Sequence, residues 1–239
     1  MKSLLLFLSS FIIGVGTAVA VYVAIFASPI ETELLRAHMG NAGSAYRAAL
    51  AYETGQGIEQ DFTQARHWYE VALARGARGG AMALASIYAR GIGGPENMAG
   101  AISIYKMEAE AGNTQAQMQL ARAAFLGNGM EKNETEGAAW VKKAAEAGST
   151  EAMGLLGSLY YGGIGVPQNF DAAQKWLMKS GDKKAATLAE GIAATMEPIA
   201  ALPPEMAAQA KQDAFATAKT TIRQMLATSL AKAPPKPQN

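Results

Sequence analysis

Apolar residues recur along most of the chain with the spacing of helices, and the pattern itself repeats every 36 residues. Within residues 80–113, Leu84 and Tyr88 mark the buried side of one helix, and Ala101 and Ile104 mark that of a second. A Gly-x-Gly turn separates the two helices. A period of roughly 20 to 50 residues is typical of solenoid proteins, in which each repeat packs on its neighbours. The turn recurs at equal spacing, as Gly55 and Gly57, Gly91 and Gly93, Gly127 and Gly129, and Gly163 and Gly165.

The two helices of each repeat carry their own stop and start signals. The turn glycines supply the positive φ that a helix C-cap requires. A side-chain oxygen then precedes the second helix and can accept hydrogen bonds from its first N–H groups, at Asp61, Asn97, Asn133 and Asn169. Each repeat is therefore predicted to be an antiparallel helix pair. The recurring Trp and Tyr residues have helical spacing, so they are interpreted as packing residues and not as a ligand cage.

The fourth repeat carries the most complete set of recurring residues, which are Ala152, Leu156, Gly157, Tyr160, Gly163, Gly165, Val166, Asn169, Ala173 and Trp176. This series resembles the motif of the SEL-one-like repeat, a relative of the tetratricopeptide family. Departures are modest, with Ile104 in place of the Trp and Ala124 in place of the Tyr. The resemblance covers residues 44–184. It implies an all-α fold, a right-handed α-solenoid, whose first helices line a concave surface that binds other proteins.

The phase of the repeats and the patterns at both ends predict five segments. Pro198 is expected to break the first C-terminal helix. The first half of the next helix, from Glu205, is expected to close the core, while its later, basic turns either cap the array or extend as a partner-binding arm. The segments are a transmembrane signal-anchor (1–28), an N-terminal half-repeat cap (29–43), four repeats (44–184), C-terminal capping helices (185–232) and a disordered tail (233–239).

The N-terminal segment is apolar from Leu4 to Ala27 and is long enough to cross a bilayer. An uncleaved anchor is favoured over a signal peptide cleaved after Ala20, because the apolar stretch exceeds the usual length of a signal-peptide core. Lys2 lies on its short side, which predicts a single-pass protein of the bacterial inner membrane with the repeats in the periplasm. The alternative is a periplasmic protein after cleavage. Small residues at Ser10, Gly14 and Ala18 either pack on another transmembrane helix or reflect ordinary export-sequence composition.

Composition and charge limit the kinds of ligand and catalytic site that the protein is expected to have. The net charge is +1, so nothing draws the whole protein onto nucleic acid. There is no cysteine, and the two histidines, His38 and His67, lack metal-ligand spacing. No residues form a recognisable catalytic arrangement. The protein is therefore predicted to be a non-enzyme with no cofactor, no metal and no nucleic-acid partner.

A candidate binding face lies on the first helix of each repeat, opposite the buried Leu–Tyr stripe. Its members stand eight, five and one residues before the turn glycine. If this face lines the implied groove, its arginines suit an acidic peptide or loop. The alternative is an ordinary solvated surface. The residues predicted to bind a partner are Arg47, Ser86, Arg90, Gln119, Arg122 and Ser158.

Three functions are compatible with these features. The leading one is a membrane-anchored scaffold or adaptor of the bacterial envelope, which binds a partner protein in the groove and organises or regulates a membrane complex. The second is an integral accessory subunit of a large membrane complex, held by its transmembrane helix. The third is an envelope enzyme or cell-wall binder. The expected partners are membrane or envelope proteins, with the N-terminal helix in the membrane.

Overall fold

The computed structural model describes residues 28–231, and every regular element in this stretch is helical. This confirms the all-α prediction. A short 3-10 helix, Arg78–Gly80, precedes α4. The α-helices are α1 Pro29–His38, α2 Ala42–Thr54, α3 Phe62–Ala74, α4 Ala81–Arg90, α5 Met98–Glu110, α6 Thr114–Leu126, α7 Glu134–Glu146, α8 Thr150–Gly162, α9 Phe170–Ser180, α10 Lys183–Ala200 and α11 Pro204–Ala231.

The predicted membrane anchor, with Ser10, Gly14 and Ala18, lies outside the described residues, as does the predicted tail 233–239. Within residues 28–231, no helix has both the length and the hydropathy needed to cross a membrane.

The chain divides into two compact units, and the boundary falls within α4. The first unit contains α1 to α3, α4 as far as Ile87, and the turn 91–96. The second unit contains the last three residues of α4 and all of α5 to α11.

Each predicted cap lies where the sequence places it. The side chain of Asn133, for example, accepts a hydrogen bond from the backbone N–H of Glu136 at 3.0 Å, and Asp61, Asn97 and Asn169 do the same for their helices. Gly163 follows α8 with φ +61°, the left-handed conformation that ends a helix without steric cost only in glycine. The helix pair of each repeat is thus bounded by local signals.

The second glycine of the turn has a role that the sequence does not reveal. A Cβ atom placed on Gly93 would overlap the carbonyl oxygen of Phe62, and one on Gly165 would overlap that of Glu134. In both cases the oxygen belongs to the first residue of the second helix of the preceding repeat. These glycines therefore allow the backbones of successive repeats to touch, in addition to adopting positive φ.

The aromatic residues contribute unequally to the core. Trp68 and Tyr69 are buried in the first unit, where the ring of His38 packs edge-on against Trp68 with centroids 4.8 Å apart. Burial, together with the hydrogen bond to Glu53, raises the pKa of Tyr69 far above its ordinary value. Trp140 in the second unit is only half-buried, and the ammonium group of Lys143 lies 4.0 Å from the centre of its ring.

The C-terminal helices differ from expectation in two respects. Pro198 does not break α10, which continues to Ala200, because the burial of Ile192 and Ile199 on either side of the proline stabilises the helix against the lost N–H bond. In α11 the second half, and not the first, joins the core. Ala218, Ile222 and Leu226 are buried, whereas residues 204–206 are exposed. In this second half, Ile222 and Leu226 pack in the cluster that includes Leu156 and Leu159 of α8.

Candidate protein-interaction surface

The residues eight, five and one before each turn glycine, which we call the first-helix face, lie on the accessible side of their own helices in most repeats. Leucine and alanine residues fill the opposite, buried side, as helical periodicity requires. In the first unit, Arg47, Leu50 and Thr54 are exposed, and Ala83 and Ser86 are half-buried. In the second unit, Gly162 is buried and the other members are half-buried. These half-buried members are Arg90, Gln119, Arg122, Leu126, Leu155 and Ser158.

Arg47 is bound to the N-terminal cap helix α1. Its Nη2 lies 2.7 Å from Oε2 of Glu33, and its Nε donates to the same oxygen at 2.8 Å. Its Nη2 also donates to the Ser44 hydroxyl at 3.1 Å. Glu33 therefore neutralises part of the positive charge that the sequence assigns to this position. The Arg47 side chain is still 52% exposed, so its outer edge stays accessible.

The same ion pair makes the docking of α1 sensitive to acid. Partial burial acts to raise the pKa of Glu33, but hydrogen bonds from Ser44 and Arg47 and the charges of Arg47 and Arg36 outweigh it, so the pKa lies below the ordinary 4.5. A lowered pKa stabilises the fold above about pH 4.5, and this contribution disappears as the pH falls through the lowered value. We expect Glu33→Gln to lower stability at pH 7 by no more than ~1 kcal/mol, because the pair is solvated.

Thermal melts followed by circular dichroism at pH 7 and pH 3 check this. The melting curves of the wild type and Glu33→Gln should be separated at pH 7, and the separation should be smaller at pH 3. Glu59→Gln, at an exposed position in the turn between α2 and α3, is the matched control. An equal separation of the curves at both pH values would contradict the assignment.

Arg122 on α6 lies near a buried phenol of the neighbouring helix α5. Burial raises the pKa of Tyr105, and the positive charge of Arg122 acts in the opposite direction. Arg122 is half-buried, so part of the residue faces solvent. Arg90 is also half-buried and has an interaction of its own. Of the two arginines of the first-helix face in the second unit, Arg122 is therefore the better placed to meet a partner's carboxylate.

In the fourth repeat the first-helix face is covered by α11. A Cβ atom added to Gly162 would lie 3.0 Å from Cβ of Ile222. The hydroxyl of Ser158 hydrogen-bonds within α8, because it donates to the Gly154 carbonyl oxygen at 3.0 Å. Leu155 and Ser158 line a cavity of about 530 Å³ together with Ile222 and Leu226. Ser158 thus lies inside a space bordered by the chain itself and not on an open face.

A second cavity, of about 390 Å³, lies between the end of α6, the start of α7 and α11. Leu126 of the first-helix face lines it, as do Glu134 and Arg223, whose side chains form an ion pair at 3.1 Å. Sequence reasoning did not assign Glu134, Ile222 or Arg223 to the site. The signal that could have found α11 is its apolar stripe of Ala218, Ile222 and Leu226, one turn apart on the same side of a helix.

The two histidines lie in different surroundings. Nδ1 of His38 lies 2.7 Å from the carbonyl oxygen of Leu34, and His67 is exposed beside Trp68. In the part of the chain that the structure covers, no group of three His, Asp or Glu side chains is arranged to hold a metal ion.

The repeats match a known family. The Sel1 repeat model matches residues 42–76, 80–113, 114–149 and 150–184, which is more than half of the chain. The chain belongs to the Sel1 repeat family. Sel1 repeats are protein–protein interaction modules and are generally non-catalytic. The confirmed architecture is a helical solenoid of Sel1 repeats, while its right-handed superhelix stays a prediction.

Two solved structures are similar to this Sel1 repeat protein. A Sel1 repeat protein from Oxalobacter formigenes is 29% identical with a TM-score of 0.59, and the match covers 68% of this chain and 48% of that one. A protective antigen of uropathogenic Escherichia coli strains, which displays an SLR fold, is 23% identical with a TM-score of 0.63, and the match covers 83% and 43%. The chain spans less than half the length of either protein. No curated protein matches it significantly.

Proposed function

We propose that this protein is a membrane-anchored scaffold of the bacterial envelope that binds a partner protein on the first-helix face and organises or regulates a membrane complex. The observation that carries the proposal is the first-helix face of the second unit, where Gln119 and Arg122 keep accessible polar side chains in a chain of four Sel1 repeats. The uncharged segment from Leu4 to Ala27 supports the anchor, with the repeats on the periplasmic side of the inner membrane.

The chemistry of this face suits binding better than catalysis. Gln119 offers an amide and Arg122 a planar fork of N–H donors that matches a carboxylate. A scaffold needs such adaptable donors beside apolar surface, whereas an acid–base site needs titratable pairs within hydrogen-bonding reach of a substrate. We therefore propose a non-enzyme whose partner presents an acidic loop or helix to Arg122, and which needs no metal or cofactor.

Site-specific photo-crosslinking in intact cells tests where the partner binds. A crosslinking amino acid at position 119 should capture a membrane or envelope protein, because Gln119 lies on the first-helix face of α6. The control position is Ser103, which is exposed on the second helix of its repeat. Equal capture from both positions would contradict the proposal. Capture from the N-terminal segment alone would favour the alternative, an accessory subunit held by its transmembrane helix, and bound glycan would favour a cell-wall binder.

A charge reversal tests the role of Arg122. Arg122→Glu should weaken capture of the crosslinked partner by roughly 10-fold or more, since losing a charge-assisted hydrogen bond and adding repulsion costs about 1.5 to 3 kcal/mol. The measurement is quantitative mass spectrometry of what co-purifies from native membranes. Lys106→Glu, an exposed cation on α5, makes the same change of charge and should leave capture unaltered. Undiminished capture by Arg122→Glu would remove this arginine from the site.

A further inference from the structure

The first-helix face of the fourth repeat is occupied in this structure by α11, which also reaches Leu126 at the end of the same face in the third repeat. Ile222 packs against Gly162 of α8, and Leu226 lies with Leu126 of α6 along the same cavity. Gly162 and Leu126 hold the same position in successive repeats, directly before the turn glycine. Turns of α11 therefore follow the row of repeats, as a bound helical ligand would.

The fourth repeat has three small residues beside α11, where Gly162 contacts Ile222 and the other two line the space of about 530 Å³ that Ile222 also lines. Gly154, Ser158 and Gly162 stand one turn apart on α8. In the three preceding repeats the corresponding positions carry larger side chains, except for Ser86. They are Tyr46, Leu50 and Thr54, then Met82, Ser86 and Arg90, then Met118, Arg122 and Leu126. Small side chains let two helices approach closely, so α8 presents a shallow channel to a helix with larger apolar residues.

α11 packs in this channel through a stripe of buried apolar residues. Further contacts are made by residues on either side of the stripe. Ala218 and Ile222 are each 1% exposed, and Leu226 is buried as well. Arg223, next to Ile222, reaches the Oε2 of Glu134 on α7 at 3.1 Å. Phe215 stacks on Phe170 at the start of α9, with ring centroids 4.6 Å apart. The face thus accepts a helix with a small residue, an isoleucine and a leucine one turn apart, and a cation beside the isoleucine.

The fit is incomplete. A cavity of about 530 Å³ remains between α8, α11 and the start of α10, and Met225 beside it is 52% exposed. This space opens to solvent, so its apolar walls lack contacts that a larger side chain of a bound helix could make. Residues 201–206, which lead into α11, are exposed as well. A helix with the same stripe and bulkier side chains beside it would fill the cavity and make contacts that α11 does not make.

From this packing we propose that the channel on α6 and α8 binds an amphipathic helix of a partner protein, and that α11 is the intramolecular ligand that this helix displaces. The partner helix carries the stripe of α11, a small residue, an isoleucine and a leucine at four-residue spacing, with a cation to meet Glu134. This inference rests on the proposed function, because it names the class of partner that the scaffold takes up.

A peptide with the sequence of residues 210–231 is a suitable probe. In the wild-type full chain, α11 is tethered at an effective concentration in the ~mM range and excludes free peptide. Ile222→Glu in the chain should undock α11 and allow a fluorescent wild-type peptide to bind at least ~10-fold more tightly, a gain of about 1.4 kcal/mol. Thr221→Glu, at the exposed neighbouring position, should bind the peptide as weakly as the wild type does. The measurement is fluorescence anisotropy with the purified chain in detergent.

Two results would overturn the proposal. One is a folded Ile222→Glu chain that binds the peptide no better than wild type. The other is loss of the cooperative unfolding transition in that variant, which would make α11 part of the core and not a ligand. Arg223→Glu, at the exposed ion pair, should give a smaller gain in binding, and Glu134→Arg in the same chain should reverse it. No gain from Arg223→Glu would also count against the proposal.

Light scattering and crosslinking separate the other outcomes. A dimer formed by exchange of α11 between copies would make a second copy the occupant and would overturn the partner-helix proposal. Peptide binding by Ile222→Glu without any partner captured from position 119 in cells would leave this inference intact and reject the proposed function. Capture of a partner from position 119, with no peptide binding by Ile222→Glu or Arg223→Glu, would leave the proposed function intact and reject this inference.

Discussion

Gly165→Ala is expected to lower the free energy of unfolding of the second unit by about 3 kcal/mol, the sum of two costs. Gly165 has φ +68°, where an alanine is strained by roughly 1 to 2 kcal/mol. Its new Cβ would also overlap the carbonyl oxygen of Glu134 and crowd the Cβ of Ala138, so the turn must move away from α7 at a further cost of roughly 1 to 3 kcal/mol. Urea unfolding followed by circular dichroism measures the change.

The second cost can be isolated because the chain contains a matched glycine. Gly181 has φ +67° at the end of α9, and no atom lies within 4 Å of the position of a Cβ there. Gly181→Ala should therefore cost only the backbone strain, about 1 to 2 kcal/mol. Similar losses in the two variants would mean that the close approach between the fourth turn and α7 contributes nothing to stability.

Leu156→Ala is expected to destabilise the second unit by about 2 to 5 kcal/mol. Leu156 is 0% exposed and packs in the cluster that includes Val141, Leu159 and Ile164, so truncation removes buried methyl groups and leaves a cavity. Thermal unfolding should show a lowered melting temperature with helix content preserved at 10 °C in folded protein.

The adjacent leucine provides the control for this substitution. Leu155 is half-buried and borders the cavity of about 530 Å³ beneath α11, so its truncation enlarges an existing space. Leu155→Ala should cost less than ~1.5 kcal/mol, below the range for a fully buried leucine. Equal destabilisation by the two substitutions would show that the first-helix face of α8 belongs to the core as firmly as the opposite side does.

The two leucines show how a Sel1 repeat separates stability from recognition on one helix. Residues that point into the helix pair are alanine and leucine, and they set the spacing of the helices. Residues on the first-helix face do not set the spacing of the helices in the third repeat, where Gln119 and Arg122 are half-buried. Substitutions on this face of α6 should therefore change binding with little effect on unfolding, which makes it a practical place to look for the partner.

Much of the helical organisation could be predicted because its causes are local. A helix ends where glycine permits positive φ and begins where an Asp or Asn side chain accepts from free N–H groups, and both signals occur within a few residues of the boundary. The prediction failed at Pro198, since packing that the sequence does not show can outweigh the cost of a proline, and Ile192 and Ile199 are buried on either side of it. It failed again in α11, because an apolar stripe states which side of a helix is buried without stating which turns will find a partner.

The candidate site was predictable only in part for the same reason. Helical phase places Gln119 and Arg122 on the accessible side of α6. Phase does not reveal that Arg47 meets Glu33 on the cap helix, or that Gly162 lies beneath Ile222. Whether these residues bind a partner stays a prediction. The ion pair of Arg223 with Glu134 joins residues 89 positions apart, and no local pattern encodes such a pairing.

By itself, the sequence determined the repeat, its helix pairs, their caps and the family. The reason is that the same short-range signals, the turn glycines and the Asp or Asn caps, recur four times at a spacing of 36 residues. Tertiary structure alone decided what the non-repeating helix does. Its position depends on how the shape and charge of α11 complement one particular repeat, the one with Gly154, Ser158 and Gly162, and that complementarity exists only once both surfaces have formed. The second turn glycines follow the same logic, since their close approach to the preceding helix appears only when successive repeats are packed together.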